Sequence, residues 1–440
     1  MRKKGIVSTI IMEYPNQEIL IYQGEFHFGT HLFNGKIFVK WVPRHQLRFE
    51  ILDCSDLKAI FDKNEISITI GSQNKKVKFF IENKFYGETI NINGSINEKL
   101  IFIQSKKNIK YIDFNLVNFR EYFGLSYQKS PKGSRLGHIS FISTDHSIEI
   151  QNILDEKSKK AIKSEGGYII SNNCRIKFNK VTPLNRVNFI VKRLKIFLSF
   201  LNGRRVAPLF LKAYSSDEKI IWEDYSPYIT DHHKYVQSWL PFRFDDEFCS
   251  LWNKFLNVTE TESDFEKMDF VIHWYLEALN NSGYTNGSII FLQNSFETLY
   301  SWLVLEKGEI KAFGESDKEK NYASNKIRSL LFHFSLSTEF PKEYRKTFKE
   351  FDLNKSEDFA YVFPLIRNAY VHYSESKKKD LEKLKGKTWP LLNTGIFYLE
   401  VLLLRIIGYK GIIRSRIKGS AYPAENQVSI FNLSKELAVK

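Results

Sequence analysis

Paired cysteines, glycine-rich phosphate loops and long apolar runs are what this sequence has least of. Its 440 residues include three cysteines, Cys54, Cys174 and Cys249, far apart and without CxxC spacing. That leaves no disulfide framework and fits three free thiols in a reducing cytoplasm. No G-x-G-x-x-G or Walker loop is present, so nucleotide hydrolysis has no support. His232 and His233 in "TDHHKY" are adjacent, lack ligand spacing and have no third histidine or cysteine nearby, so no metal site is expected. The strongest apolar stretch, "GIFYLEVLLLRIIG" (395–408), is shorter than a membrane span and carries Glu400 and Arg405; it reads as a buried helix with no membrane contact. The basic start "MRKKGIVSTIIMEYPNQE" is broken by Ser8, Thr9 and Glu13, a poor signal peptide. Neither a 20- to 50-residue repeat nor a low-complexity segment is found.

What is present is the balance of a globular protein, 43% apolar and 26% charged, long enough for two domains. The formal charge of +15 favours polyanionic partners and governs association more than fold. An AT-rich coding bias gives the same Lys-rich composition.

The first half alternates with period two. Runs such as "EILIYQGEFHF", "GKIFVKWV", "LRFEIL", "EISITIG" and "KVKFFIE" are punctuated by Gly, Asn, Asp and Lys, the spacing of an all-β sandwich or barrel. Trp41, Tyr22, Phe26 and Phe38 fit core positions first and a binding surface second. One helix, 184–201, interrupts the strands. Beyond 240–265 apolar residues recur at three and four, predicting helices over 264–279, 287–306, 325–334, 344–351 and 387–407. In the first of these Phe270, Ile272, Trp274 and Leu276 count among the apolar positions. The fold class is therefore α+β: a β-rich, sandwich-like N-terminal half (1–250) and a helical bundle (264–415). "FDDEF" (244–248) reads as a solvated helix edge or linker.

The segment "FAYVFPLIRNAYVHYSESKKK" (359–379) carries the densest chemistry. Pro364 suits a first helical turn, predicting a helix over 364–373. At about 100° per residue Ile366, Ala369, Tyr370 and Tyr373 share the core face, while Asn368 and His372 stack on the opposite one. Arg367 then lies about 140° from His372. Histidine is the side chain that titrates near neutrality. Arginine offers a fixed fork of donors to phosphate, and asparagine can orient either. Together they suit RNA cleavage by the neighbouring 2′-hydroxyl without a metal. The Arg-x4-His spacing alone does not identify such a site, because chance supplies on the order of 0.4 matches in this composition. A second one, Arg328 to His333 in "IRSLLFH", has no Asn after the Arg and reads as a structural histidine.

"LIRNAYVHY" resembles the R-N-x-x-x-H signature of HEPN domains, helical bundles that include metal-independent endoribonucleases and RNA-binding modules. The long apolar helix that follows and "IIFLQNSFETLYSWL" before it extend the resemblance over roughly 265–415. "IYQGEFHF", "ININGSI" and "IDFNLVNFREYFG" resemble the β-rich region of ApeA-type anti-phage proteins, which carry a C-terminal HEPN domain. The resemblance implies a cytoplasmic homodimer that cuts RNA, with tRNA as one candidate, in abortive infection, released by a phage-derived trigger sensed by the β-rich half. It implies His372 as general base or acid, Arg367 as the phosphate-stabilising cation and Asn368 as the orienting residue, with no cofactor and no metal. Glu297 is a candidate supporting residue that sets the protonation of His372. Lys377, Lys378 and Lys379 are candidate RNA-phosphate contacts, and "RSRIK" (414–418) is a similar one. Two alternatives remain open: a toxin-like ribonuclease restrained by a partner protein, and a non-catalytic RNA- or ligand-binding protein built from a β-sandwich recognition module and a helical dimerisation domain.

Overall fold

Alternation of Ile, Phe and Val with polar residues in the first hundred residues produces six strands: β1 (Ile19–Phe28), β2 (His31–Lys40), β3 (Gln46–Leu52), β4 (Glu65–Ile70), β5 (Lys75–Tyr86) and β6 (Ile90–Ile96). In the computed structural model these strands form a closed antiparallel barrel, ordered β1-β2-β3-β6-β5-β4. The structure describes residues 6, 10–52, 60, 63–70, 75–86, 90–130, 133–242, 244–280, 284–314, 321–349, 357–372, 374–417, 426–430 and 433. Ser8, Thr9, Cys54, Tyr373 and Lys418 (the last residue of "RSRIK") lie outside them. Period-two patterning sends every second side chain inward: Ile66, Ile68 and Ile70 of β4, and Leu47, Phe49 and Ile51 of β3, are buried. Phe49 stacks on Phe79 at 4.1 Å between centroids, and Phe26 meets Phe79 edge-on at 5.4 Å. Gly94 pairs with Phe49 in register. A Cβ there would stand 1.9 Å from the Phe80 carbonyl oxygen, so only glycine fits the close approach of strands.

Eight more strands, β7 (Ile101–Ile103), β8 (Ile109–Val117), β9 (Leu125–Ser130), β10 (Gly133–Ile142), β11 (His146–Asn152), β12 (Ile170–Thr182), β13 (Leu209–Tyr214) and β14 (Ile220–Asp224), make an antiparallel sheet ordered β7-β14-β13-β8-β12-β11-β10-β9. Helices α1 (Glu156–Glu165) and α2 (Leu184–Asn202) flank β12 in sequence. Barrel and sheet share one core, in which Trp41 stacks on Tyr168 and meets Phe210 edge-on. Trp41, Phe26 and Phe38 are buried and Tyr22 is half-buried, so these aromatics build the core rather than a binding face.

Further helices follow: α3 (Asp246–Cys249), α4 (Leu251–Val258), α5 (Glu262–Asn280), α6 (Tyr284–Tyr300), a π-helical turn (Ser301–Glu306), α7 (Ala323–His333), α8 (Lys342–Lys349), α9 (Phe359–Val371), α10 (Glu375–Lys383) and α11 (Thr388–Ile406), then the short pair β15 (Ile412–Arg414) and β16 (Gln427–Ser429). The chain is α+β, β-rich over 19–224 and helical over 246–406. Its contacts group into two units, residues 1–195 with 206–235 and residues 196–205 with 236–440. The last turns of α2 belong to the second unit because Phe197 packs on Trp252 and Phe200 on Trp239 and Tyr275.

Within the helical unit the stripe Ile289, Leu292, Phe296, Leu299, Tyr300 and Leu303 is buried throughout. On α5 the buried stripe is Phe265, Met268, Val271, Ile272, Tyr275 and Leu276, so Phe270 and Trp274 fall off it and Phe270 is exposed. Asp245 of "FDDEF" caps α3 by accepting from Phe248 N at 2.8 Å. Helix α11 is long and apolar enough to cross a membrane by length and composition, yet residues 391–404 are all buried in the unit.

A buried ion pair ties the end of the chain to this unit. Arg416, from "RSRIK", donates from Nε and Nη2 to the two Glu400 oxygens at 2.8 Å each, and Tyr275 donates to Glu400 Oε1 at 2.6 Å. The Arg414 guanidinium lies over the Phe242 ring. Within "RSRIK" the expected phosphate contact is corrected for Arg416: it is buried because Glu400, the one carboxylate of α11, needs a counter-charge.

Candidate functional site

Helix α9 begins earlier than Pro364 suggests. Asp358 is its N-cap, accepting from Tyr361 N, and its other oxygen takes the Arg328 guanidinium of α7. An acidic cap outweighs proline as a start signal, since it satisfies an orphan N–H and faces the positive helix end. Pro364 therefore sits at the sixth helical position. Phe359, Val362, Phe363, Ile366 and Ala369 form the buried face, with Phe363 edge-on to Phe296 at 5.9 Å and Phe359 against Tyr398 at 5.0 Å. Gly395 of α11 admits Phe363: a Cβ there would lie 2.8 Å from the ring and 3.1 Å from Leu292 Cδ1.

This packing fixes where the polar residues emerge. Arg367 and Asn368 are half-buried and adjacent, and Arg367 Nη1 donates to Asn368 Oδ1 at 3.0 Å. Arg367 Nε is buried and has no hydrogen-bond partner among the described residues. The helix ends at Val371, not 373. His372 is the C-cap, with φ −117° and ψ 64°; its N–H still donates to Asn368 O at 2.9 Å, and its side chain is exposed. Having left helical φ/ψ, its ring is not bound to the helical-wheel angle. It makes no side-chain hydrogen bond or ion pair among the described residues.

The other candidates are distributed differently. Glu297 accepts from Lys326 Nζ at 2.7 Å and from Gln293 Nε2 at 3.0 Å; those two, rather than His372, are its partners. Lys377, Lys378 and Lys379 stand on α10, a helix with no buried residue, and Lys378 lies 4.0 Å from Glu375. Four lysines share α10 with three carboxylates, so the local positive field is weaker than the lysine run alone suggests. His333 is exposed at the end of α7, edge-on to Phe334. The expected structural histidine is corrected: in that pair Arg328 is the structural member, through Asp358.

Two features escaped the sequence reading. A cleft of about 580 Å³ beside the π turn is lined by Glu297, Lys326, Phe270, Tyr300 and Leu305. The signal for it was an apolar residue, Phe270, out of phase with its helix. A second cleft, of about 360 Å³, lies in the N-terminal unit between α2 and β14. Its signal was the pair Lys192 and Lys195, three apart and so on one face of α2.

Comparison with known proteins places both regions in one context. Residues 104–236 match the model of the YopA central domain, and residues 261–427, which contain α9 and α10, match that of the YopA C-terminal domain. No solved structure matches the chain. Over 430 residues, covering 94% of this chain and 95% of the relative, it is 25% identical to the SPbeta prophage-derived uncharacterized protein YopA of Bacillus subtilis (strain 168).

Proposed function

We propose that the chain is a metal-independent endoribonuclease whose site is built from Arg367, Asn368 and His372. One observation carries this reading: a half-buried Arg–Asn pair with a guanidinium N–H unpaired in the interior, followed four residues after the Asn by an exposed histidine that no side chain engages among the described residues. Burial without a partner is costly for a guanidinium N–H, and a phosphoryl oxygen would satisfy it. His372 removes the 2′-hydroxyl proton, the 2′-oxygen bonds to phosphorus, and the bond from phosphorus to the 5′-oxygen breaks. The products are a 2′,3′-cyclic phosphate and a 5′-hydroxyl. A single imidazole cannot be base and acid in the same step, so a second copy supplies the acid that protonates the leaving oxygen, which favours a homodimer. Arg367 stabilises charge on the phosphoryl oxygens, and Asn368 holds its fork in place. The +15 charge helps gather the RNA. A cytoplasmic location follows from such a substrate.

The setting in this reading is conflict between bacterium and phage, with RNA cleavage arresting growth. The prophage origin of the Bacillus subtilis relative is in keeping with a phage-linked role. The test is cleavage of total RNA by the purified protein in EDTA, comparing wild type with His372→Ala and Arg367→Ala. Cyclic-phosphate ends from wild type alone support the reading. Equal cleavage by His372→Ala, or loss of wild-type cleavage in EDTA, overturns it.

A further inference from the structure

Trp389 stands apart from the other six tryptophans. Trp41, Trp222, Trp239, Trp252 and Trp302 are buried and Trp274 is half-buried against Phe291, whereas Trp389 is 59% exposed. An indole is normally withdrawn from water because of its large apolar surface. Trp389 makes no ring contact, cation–π contact or hydrogen bond among the described residues. The helical unit thus leaves one aromatic plane bare.

That plane lies beside the candidate site. Arg367 and Tyr370 are three apart on α9 and so neighbours on its surface. The half-buried Tyr370 hydroxyl is hydrogen-bonded to Thr388, the first residue of α11, and Trp389 is the second. Two side chains therefore separate the indole from the guanidinium whose Nε is buried without a partner among the described residues. The turn leading into α11 is open: Gly386 has φ 78°, and a Cβ there would meet nothing within 4 Å.

The surroundings are basic. Residues 375–389 hold six lysines and three carboxylates, and no carboxylate side chain occurs between Glu382 and Glu400. Lys383 and Lys387 already have interaction partners and are not counted. Lys385 is exposed, and its side chain makes no ion pair or hydrogen bond among the described residues. A bare aromatic ring and an unpaired ammonium group four residues apart are the two parts of a single-strand site. Bases of any identity stack on such a ring, while the charge follows the backbone.

We infer that Trp389 is a stacking platform for one base of a single-stranded RNA, with Lys385 on a neighbouring phosphate, and that it steers the strand to Arg367. The identity of the polymer rests on the ribonuclease reading; the platform stands on the exposure of Trp389 and the charge beside it.

The test uses the full-length protein and a 2′-O-methyl oligonucleotide of mixed sequence, whose blocked 2′-oxygen prevents cleavage. Saturable binding is expected, with quenching of tryptophan emission that is absent in Trp389→Phe. By fluorescence anisotropy, Trp389→Ala should bind at least fivefold more weakly at unchanged Tm, and Trp389→Phe should recover most of that loss. Lys385→Gln should lower the slope of log K against log salt by about 0.7, whereas Trp389→Ala leaves the slope as it was. If Trp389→Ala misfolds, the quenching lost in Trp389→Phe carries the test. Wild-type affinity in folded Trp389→Ala, no recovery by Trp389→Phe, or Trp389-dependent binding to phosphatidylglycerol vesicles but not to the oligonucleotide would each overturn the assignment. So would indole emission shielded from iodide in the free protein, since a second copy would then cover the ring. The strand cannot be cut, so the two readings fail separately: cleavage of ordinary RNA without Trp389-dependent binding sinks the platform, and binding without cleavage sinks the catalytic reading alone.

Discussion

Arg416→Met removes one half of the buried ion pair while conserving most of the side-chain length. In the native protein the Arg416 and Glu400 side chains are 2% and 1% exposed. Two 2.8 Å hydrogen bonds join them, Tyr275 OH donates a third to Glu400, and Arg416 Nη2 also donates to the Gln237 carbonyl. After the substitution Glu400 stays buried with Tyr275 as its single donor among the described residues. Breaking such a pair from one side costs about 3–5 kcal/mol. In a cooperative unit of about two hundred residues each kcal/mol moves the midpoint by ~2–4 °C, so Tm should fall by roughly 6–20 °C. Urea titration followed by tryptophan fluorescence gives the same quantity isothermally. The companion variant, Glu400→Leu with Arg416→Met, removes both charges and should recover most of the loss, because apolar replacement of a buried pair is near neutral. A fall under 2 °C in Arg416→Met, or a double variant no more stable than the single, would refute the reasoning. The reading of "RSRIK" as an RNA contact predicts the reverse: unchanged stability and weakened RNA binding.

Arg367→Lys keeps the charge but loses the planar fork held by Asn368, so under the proposed mechanism RNA cleavage should drop at least tenfold, a loss that equal rates for the two proteins would contradict. Asp358→Ala deletes the α9 N-cap and the partner of Arg328, and a loss of about 2 kcal/mol or more in urea unfolding is expected. Gly395→Ala forces a methyl against Phe363 and Leu292 and should cost about 1–3 kcal/mol, read in the same way. Burial holds the His45 imidazole down to about 4 from its ordinary 6.5, against the opposing hydrogen bond to the Tyr228 carbonyl. The unfolded chain therefore takes up a proton that the folded chain refuses. Its contribution is complete above pH 6.5 and lost as pH falls to 4, a change of about 3 kcal/mol. His45→Phe should show a correspondingly flatter profile of urea midpoint between pH 7 and pH 4, and identical slopes would sink the assignment.

Periodicity made much of this architecture legible. "EISITI" gives β4 with all three isoleucines inward, and the stripe from Ile289 to Leu303 is buried position for position. Local patterning reports which face of an element is apolar, and burial follows from that. It does not report closure or pairing, so the barrel order β1-β2-β3-β6-β5-β4 and the neighbouring open sheet were beyond it. At the candidate site Arg367, Asn368 and His372 could be placed on one helix, but its ends could not. Pro364 carries a helix-start preference that the Asp358 cap overrides, and His372 leaves the helix one residue after Val371. Charges misled for a related reason. Arg416 reads as a solvent-facing cation until Glu400 on α11, sixteen residues earlier, is known to point at it. Glu297 looks available until Lys326 of α7 reaches it. Long-range partners of charged groups leave no trace in spacing.

The barrel of the N-terminal unit closes on itself where β1 meets β4, with Phe26 facing Ile70 and His27 facing Thr69. Closure removes the lateral edges of the six strands, so none of them is left to template a foreign strand. The eight-stranded sheet has two such margins, β7 and β9, and a segment able to lend a strand would have to add there.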